Sequence, residues 1–486
     1  MRPLKVLIPA ALAALVLFMG VYNLTGDLMN DDEGAYLYTS WRVSLGELPY
    51  RDFFVSQAPL SFFFAGGLFK LAGPEALWPR ALSLILVLGT GILIYGASRR
   101  FFLFSRNLSL AAAGIFLLTK HIYFLGRIFM PDSFLLFFFA AALFFALKAE
   151  TLSSPKRQHL ALLAMGIFSG LAALSKLSGV LALAGYLAYL IFLLAAKIEP
   201  SRSVCEKAMF SAAGFFISFG LIYALLLVFV PGTFHSTIGF HLAKEKVAAS
   251  ALIGAPFFRL GQFIGNHNYG LIPVALVGIG FGAAFKEKKR SLLLFATFAF
   301  LSLAFIPGKF YLRYILSALI PLAFFFGDGI RLISSNKKLK LFALPPVFVL
   351  IILSLGPTFS IKRLTAYDNG TRALASYVRG ETSPGDYIFG DDPGINFYAQ
   401  RPCPPRLVDV SEAMVRSGQI RAIDIRRQCD QYGVKLILVE KGGSAHHLKN
   451  LMDYLSFEAY LTESYEFVKT VRREFLDVDI YRRKTP

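Results

Sequence analysis

Long apolar stretches recur along this chain and constrain its fold more than any other feature. A polypeptide in lipid must satisfy its backbone hydrogen bonds internally, and an α-helix of about 20 apolar residues does so while it crosses the bilayer. With 56% hydrophobic residues, the chain predicts a polytopic α-helical membrane protein with about 11 transmembrane helices. The predicted spans are residues 1–23, 77–98, 107–125, 131–149, 159–175, 178–196, 208–230, 268–285, 291–307, 311–330 and 339–357.

The excess positive charge is concentrated in the apolar part of the chain. The formal net charge is +19; residues 1–359 carry 31 Lys and Arg against 14 Asp and Glu, whereas residues 360–486 carry 19 against 17. Basic residues in short loops between apolar segments are what the positive-inside rule describes, because cytoplasmic loops retain Lys and Arg. The charge therefore does not indicate a nucleic-acid partner.

Clusters of Lys and Arg occur at every second connection between the predicted spans, and this alternation predicts a topology. The N-terminus is expected in the cytoplasm, and an odd number of spans places the C-terminal region outside. The long connections 24–76 and 231–267 then also face outwards, and long loops carry function more often than short ones. We therefore expect chemistry on the outer side of a cell membrane. The cytoplasmic clusters are Arg2 and Lys5; Arg99, Arg100 and Arg106; Lys148, Lys156 and Arg157; Lys197, Arg202 and Lys207; Lys286, Lys288, Lys289 and Arg290; and Arg331, Lys337, Lys338 and Lys340.

After the last apolar stretch the chain becomes more charged, and strand-like and helix-like runs alternate, which is typical of a small α/β domain. We predict a transmembrane domain at 1–359 and an extracytoplasmic α/β domain at 360–486. Cys205, Cys403 and Cys429 have no metal-binding spacing, and a Cys403–Cys429 bridge would require an extracytoplasmic tail. The strand-like runs are 386–390, 434–440 and 476–482, and the helix-like segment is 411–433.

Three consecutive carboxylates, Asp31, Asp32 and Glu33, follow the first apolar stretch. Like charges this close raise one another's pKa, so such a cluster is usually satisfied by a cation, a substrate proton or a helix start. Apolar residues Leu37, Trp41 and Leu45 recur four apart after the acids, which predicts a short amphipathic helix on the membrane surface. Capping of that helix by Asp31 or Asp32 is the alternative interpretation. The apolar segment 59–72 is too short to span comfortably and predicts a second interfacial helix.

The first long loop contains a series of motifs that resembles one family. It is similar to the first external loop of GT-C-fold glycosyltransferases, in the branch of bacterial aminoarabinose transferases of lipid A and protein O-mannosyltransferases. Motifs further along the chain resemble later motifs of the same branch. The residues that carry the resemblance are Asp32-Glu33-Gly34-Ala35-Tyr36, Gly46, Asp52, Gln57-Ala58-Pro59-Leu60, Phe69-Lys70, Gly73, Arg80-Ala81-Leu82, Arg127 to Asp132, Leu174-Ser175-Lys176, Arg313-Tyr314 and Pro321.

The resemblance implies transfer of a sugar from a polyprenyl-phosphate carrier to a protein, lipid or glycan acceptor outside the cell. Such a reaction needs a base for the acceptor hydroxyl and cations for the departing phosphate, while the apolar carrier lies among membrane lipids. Asp32 matches the family's acid and is expected to act as the base or to position the acceptor, with Glu33 beside it. Asp132 matches a second acid, although an N-terminal helix position after Pro131 would also explain it.

Four cations are candidates for binding the donor phosphate: Arg127, Lys176, Lys309 and Arg313. Each lies near the predicted outer end of a span. A single cation at such a place more often snorkels to the interface, so the functional interpretation depends on several of them converging on one face with the two acids.

The sequence also departs from the resemblance. Aminoarabinose transferases carry a lysine where this chain has Gln57 before Ala58-Pro59, which removes one phosphate-binding cation. The eukaryotic mannosyltransferases carry a large lumenal insertion for which no loop here is long enough, so a bacterial or archaeal enzyme is expected. Some GT-C enzymes use a divalent metal, but His235, His241 and His267 have no ligand spacing, and the cofactor is left unknown.

The competing hypothesis is a transporter or flippase of lipid-linked sugars. Transporters of this size often show inverted repeats and polar residues at mid-membrane depth. This chain shows no repeat, and its ionisable residues gather at the ends of the predicted spans. That distribution favours chemistry at the membrane surface.

Overall fold

The computed structural model describes residues 21, 24–28, 31–240, 251–265, 271–281, 287–306, 312–335, 349, 368–416, 418–441, 447–473 and 476–485. Most of these residues are helical. In the part before the tail, the α-helices are α1 (Asp31–Ser44), α2 (Leu60–Ala72), α3 (Leu77–Phe101), α4 (Arg106–Leu118), α5 (Lys120–Leu125), α6 (Pro131–Ala149), α7 (Pro155–Ser175), α8 (Val180–Ala195), α9 (Ser201–Phe215), α10 (Leu221–Phe229), α11 (Ala251–Gly265), α12 (Ile272–Phe281), α13 (Lys288–Leu301) and α14 (Leu319–Ser335).

Short 3₁₀ and π segments extend several of these helices. Leu177–Gly179 leads into α8, the π-helix Phe216–Gly220 joins α9 to α10, and Leu312–Ala318 leads into α14. A second π-helix covers His235–Gly239, and a 3₁₀ turn at Ser302–Phe305 follows α13.

Among the described residues, six continuous helices are long and apolar enough to cross a membrane. All six coincide with predicted spans. The predicted spans at 1–23 and 339–357 lie outside the described residues, apart from positions 21 and 349. The six helices are Leu77–Phe101, Pro131–Ala149, Pro155–Ser175, Leu177–Ala195, Ser201–Phe229 and Leu312–Ser335.

The predicted span 107–125 is not one continuous helix. Helix α4 ends at Leu118, and Thr119 has an extended backbone with φ −59° and ψ 129°. The hydroxyl and the backbone N–H of Thr119 both donate to the carbonyl of Ile115, at 2.8 and 3.1 Å. The chain restarts as the six-residue helix α5, and α4 alone is shorter than the bilayer requires.

Small residues let two of the spanning helices approach at backbone distance. A Cβ atom added to Gly166 of α7 would lie 2.0 Å from the carbonyl oxygen of Ser211, and one added to Gly170 would lie 2.0 Å from Oγ of Ser218. Gly214 of α9 is equally close to the carbonyl of Leu163. This is the small-residue packing by which membrane helices associate without a hydrophobic driving force.

Helix α1 was expected to be a short amphipathic helix on the membrane surface; the helix is present, and protein packs on several of its sides. Leu37, Thr39 and Ser40 on different sides of the helix are all buried, because α1 is enclosed by α2 and by a helix of the C-terminal region. Leu45 of the predicted apolar stripe follows the end of the helix and is exposed. The predicted short helix α2 is present, and it ends at Gly73, whose φ of +86° favours glycine.

The C-terminal region forms the predicted small α/β unit. Its helices are α15 (Thr371–Glu381), α16 (Pro393–Ala399), α17 (Glu412–Arg416), α18 (Ala422–Gln431) and α19 (Tyr454–Ser464), and its strands are β1 (Ile388–Gly390), β2 (Leu436–Lys441), β3 (Tyr465–Arg472) and β4 (Asp477–Arg483).

The four strands form one mixed sheet with the order β1-β2-β4-β3. β1 pairs with β2 in parallel, with Ile388 opposite Leu436, and β4 is antiparallel to both of its neighbours. The three predicted strands correspond to β1, β2 and β4, whereas β3 was not predicted. The helix-like segment 411–433 contains two helices, because Gly418 between them has a φ of +70° that a helix cannot include.

Candidate active site

Asp32 lies in the first turn of α1 and forms an ion pair with a residue far along the chain. Its Oδ2 atom accepts a hydrogen bond from Nη1 of Arg313 at 2.6 Å. Arg313 enters from the 3₁₀ segment before α14. The Asp32 side chain keeps 45% of its surface exposed, so the carboxylate is paired and still accessible to a second molecule.

A second acid–base pair joins two other spanning helices. Oδ1 of Asp132, in the first turn of α6, lies 2.7 Å from Nζ of Lys176, which follows the last residue of α7. Met130, and not Asp132, occupies the N-cap position of α6. The Lys176 ammonium also lies 4.9 Å from the centre of the Tyr314 ring, a favourable cation–π distance.

The two pairs form one electrostatic unit, which we call the two-pair cluster: Asp32, Arg313, Asp132 and Lys176. Lys176 and Arg313 each interact electrostatically with both Asp32 and Asp132. Burial lowers the pKa of Lys176, and the charge of Arg313 adds to this effect, while Asp132 opposes it. Burial, together with the negative charge of Asp32, raises the pKa of Tyr36, so the phenol stays neutral beside the cluster.

Glu33 has a different environment from its neighbour Asp32. Its side chain and that of Arg80 are both 0% exposed, and the guanidinium donates to both carboxylate oxygens at 2.8 and 2.9 Å. The backbone N–H of Phe129 also donates to Glu33, at 2.9 Å. Arg80 further donates to the carbonyls of Leu24, Gly26 and Asp27, at 2.6 to 3.0 Å. Through these contacts Glu33 connects α1 with α3 and with the loop before α6.

The contacts described for Arg127, a further predicted cation, are with a tyrosine one turn earlier. Arg127 is buried, donates to the Tyr123 hydroxyl at 3.3 Å and lies over the Tyr123 ring. Lys309 lies outside the described residues. The structure therefore brings together Asp32, Asp132, Lys176 and Arg313 out of the predicted set.

Sequence reasoning gave no role to three residues that matter here: Arg80, Tyr36 and Tyr314. All three lay within the motifs quoted for the resemblance. A lone arginine inside the predicted span 77–98 was a usable signal, because a charge at that depth must have a partner, and Glu33 is that partner.

Within the described ranges, no group of three or more His, Cys, Asp or Glu side chains could hold a metal ion. His235 lies in a π-helix, and His241 and His267 are outside the described residues. Cys403 and Cys429 are both buried free thiols.

Known proteins resemble this chain in sequence over one part and in fold over nearly all of it. Residues 56–241 match the family Dolichyl-phosphate-mannose-protein mannosyltransferase. No curated protein sequence matches significantly. ArnT from Cupriavidus metallidurans bound to undecaprenyl phosphate has a similar structure, with a TM-score of 0.70, 14% identity and coverage of 98% of both chains. The archaeal oligosaccharyltransferase AglB from Archaeoglobus fulgidus, in complex with an inhibitory peptide and a dolichol-phosphate, gives a TM-score of 0.58 at 13% identity and covers 95% of this chain and 73% of its own.

These likenesses define the class of the protein: it has the GT-C fold. Together with the family match, the fold identifies the chain as a membrane glycosyltransferase and confirms the resemblance that the motifs indicated. The matched region contains Asp132 and Lys176, whereas Asp32 precedes it and Arg313 follows it.

Proposed function

We propose that the protein transfers a sugar from a polyprenyl-phosphate carrier to a hydroxyl of a protein, lipid or glycan acceptor, and that the two-pair cluster is its catalytic centre. One observation carries the proposal: a half-exposed carboxylate, Asp32, stands beside the two cations Arg313 and Lys176. This is the combination that a transfer from a phosphate leaving group requires.

The reaction assigns a task to each charge. The acceptor oxygen attacks the anomeric carbon, its proton passes to Asp32, and the bond between that carbon and the phosphate oxygen breaks. Negative charge grows on the departing phosphate, and preorganised cations stabilise it most where water is excluded. Arg313 and Lys176 fill that role, and Asp132 orients Lys176 through their 2.7 Å contact.

The donor class is inferred from the site and from two similar structures. One similar structure, that of ArnT, binds undecaprenyl phosphate, and another, that of AglB, binds a dolichol-phosphate. Both are polyprenyl-type lipids with a phosphate headgroup. A carrier of this kind places its apolar chain among the spanning helices and its phosphate at their ends, where the two-pair cluster lies.

The proposed orientation follows from the charges of the loops. We infer a transmembrane domain (1–359) in the cell membrane of a bacterium or archaeon, with its N-terminus in the cytoplasm. Helix α1, the two-pair cluster and the C-terminal α/β domain (360–486) then face the extracytoplasmic side. The cluster residues lie at helix ends: Asp132 begins α6, Lys176 follows α7 and Arg313 precedes α14. A flippase would need polar groups along its path through the bilayer, so this distribution favours transfer at the surface.

Donor binding tests the cation assignment. Lys176→Gln and Arg313→Gln should each weaken binding of undecaprenyl phosphate by about tenfold or more, because each removes a charge-assisted contact to the phosphate. Binding is measured by titration of the purified protein in detergent. Matched controls are Lys148→Gln and Arg331→Gln, which remove the same charges at the opposite ends of α6 and α14.

A buried ion pair complicates the first variant, since Lys176→Gln leaves Asp132 without its partner, which destabilises a protein. The double variant Asp132→Asn/Lys176→Gln removes both charges and keeps the site neutral. If undecaprenyl phosphate binds both cation variants and the double variant as tightly as it binds the parent, the phosphate site is elsewhere.

A further inference from the structure

The helix that carries Asp32 touches the C-terminal region at backbone distance. A Cβ atom added to Gly34 of α1 would lie 2.8 Å from both Cα and N of Gly394 in α16, and 2.9 Å from Oδ1 of Asp392. Backbone atoms cannot move aside as the end of a flexible side chain can. Glycine at both positions is therefore what allows α1 and α16 to meet so closely.

Polar contacts fix the same interface on both sides of the glycine pair. Tyr38, one helical turn after Gly34, accepts a hydrogen bond at its hydroxyl oxygen from the backbone N–H of Cys403 at 2.8 Å. Before α1, the carboxylate of Asp27 accepts from the backbone N–H of Thr371 at the start of α15, at 3.1 Å. A carboxylate at a helix N-terminus is favoured by the open amide groups and the helix dipole.

Gly34 is only two residues from Asp32, and the two positions face different sides of α1. Two residues correspond to about 200° around a helix axis, so Gly34 faces α16 while Asp32 faces Arg313. Glu33 between them is held by Arg80. The first turn of α1, which contains Asp32, is thus in contact with both the helix bundle and the C-terminal region.

We infer that the C-terminal region positions the catalytic carboxylate, and that Gly34 is the positioning residue through which it acts. This inference rests on the proposed function of Asp32. Through this contact the C-terminal region sets the distance and angle between Asp32 and the acceptor hydroxyl. Misplacing a reacting group by about 1 Å can cost about a hundredfold in rate, so a small shift of α1 is sufficient to be measured.

The variant Gly34→Ala separates positioning from folding and from donor binding. The added methyl group forces α1 away from α16, and we expect kcat to fall by about tenfold or more, while binding of undecaprenyl phosphate changes less than about twofold. The control is Gly67→Ala in α2, where an added Cβ meets nothing within 4 Å. Transfer is measured as release of undecaprenyl phosphate from its mannose and aminoarabinose derivatives, with a bacterial cell-envelope fraction as the acceptor source.

A gentler variant covers the case in which Gly34→Ala does not fold. Tyr38→Phe removes only the hydrogen bond to Cys403 and keeps the ring, and we expect it to lower kcat by about threefold or more, again with unchanged binding of undecaprenyl phosphate. A folded Gly34→Ala or Tyr38→Phe protein with the parent's kcat overturns the inference. So does a loss of carrier binding equal to the loss of kcat, because that result indicates general disruption. Parent-like transfer by Asp32→Asn overturns the proposed function instead, so the two failures are distinguishable.

Discussion

Burial differs between the neighbouring carboxylates Asp32 and Glu33, and the proposed function gives them different tasks. Glu33 has no exposed surface, and Arg80 and the N–H of Phe129 satisfy its oxygens, so an acceptor cannot reach it. A buried pair of this kind is costly to break, because the remaining charge has no solvent. Asp32 has nearly half of its surface exposed and is therefore the acid that can exchange a proton with a second molecule.

Asp391 of the C-terminal region makes stability depend on pH. It is buried and accepts hydrogen bonds from the backbone N–H groups of Leu448 and Glu440, at 3.0 and 3.2 Å. Burial raises the pKa of Asp391 from 3.8 to about 7. Unfolding then releases a proton between these two values, so the free energy of unfolding should fall as pH rises from about 4 to about 7 and level off above.

Hydrogen exchange in strands β1 and β2 of the full chain, corrected for intrinsic exchange rates, measures this dependence. Asp391→Asn should abolish this fall in the free energy of unfolding with pH, although it also weakens a backbone contact of the side chain. Glu458→Gln, which removes an exposed carboxylate of the same region, should leave the pH dependence of stability unchanged. Equal protection of β1 and β2 from exchange at pH 4.5 and 7 in the parent would contradict the raised pKa of Asp391.

The two-pair cluster shows how far single residues could be predicted. All four of its members were candidates from the sequence, because an acid or cation at the end of an apolar span needs a reason. Their pairing could not be predicted, since Asp32 and Arg313 are separated by 281 positions. The resemblance favoured Asp32 as the base with Glu33 beside it, but the difference in their burial could not be predicted, because burial is a property of the folded chain.

Most helices and strands form where the apolar pattern of the sequence predicts them. The exceptions depend on local backbone geometry or on tertiary contacts. The six long spanning helices agree with prediction, since about 20 apolar residues have few alternatives in lipid. The break at Thr119 is a local change to extended backbone, with ψ 129°, which the apolar pattern does not reveal. Strand β3 (YEFVKTVR) has mostly exposed side chains and thus lacks the apolar run by which β1 and β2 were recognised.

Helix α1 was predicted correctly as a helix, but the protein that packs on it was not predicted. Leu37 and Trp41 of its apolar stripe are buried, and its other sides are covered by α2 and by α16 of the C-terminal region. The contact of Gly34 with Gly394 is what brings that cover to backbone distance. No periodicity within α1 contains this information, because the partner lies in another part of the chain.

At the scale of the whole molecule, the alternating charges predict which side each part faces. Cys205, at the start of α9, is exposed and belongs to a predicted cytoplasmic connection, whereas Cys403 and Cys429 are buried and should not react. A Ser383→Cys substitution adds an exposed thiol to the C-terminal region. In intact cells an impermeant thiol reagent should label the variant at position 383 and leave Cys205 unlabelled.

Cys205 should become reactive only after the membrane is permeabilised. The parent chain, which lacks the thiol at 383, is the control for outside labelling. Labelling of Cys205 and of the cysteine at 383 from the same side would contradict both the orientation and the odd number of spans.

The transfer rate of Asp32→Asn tests the central claim most directly. Asparagine keeps the size of the side chain and suits a helix N-terminus, so the protein should fold, insert and bind undecaprenyl phosphate at least as well as the parent. Loss of a general base typically costs about 10²–10⁴-fold, and we predict that release of undecaprenyl phosphate from its sugar derivatives falls at least a hundredfold, an estimate from that range. Near-normal transfer would contradict the account. Asp32 would then only stabilise the N-terminus of α1, and Asp132 would remain as the candidate for the base.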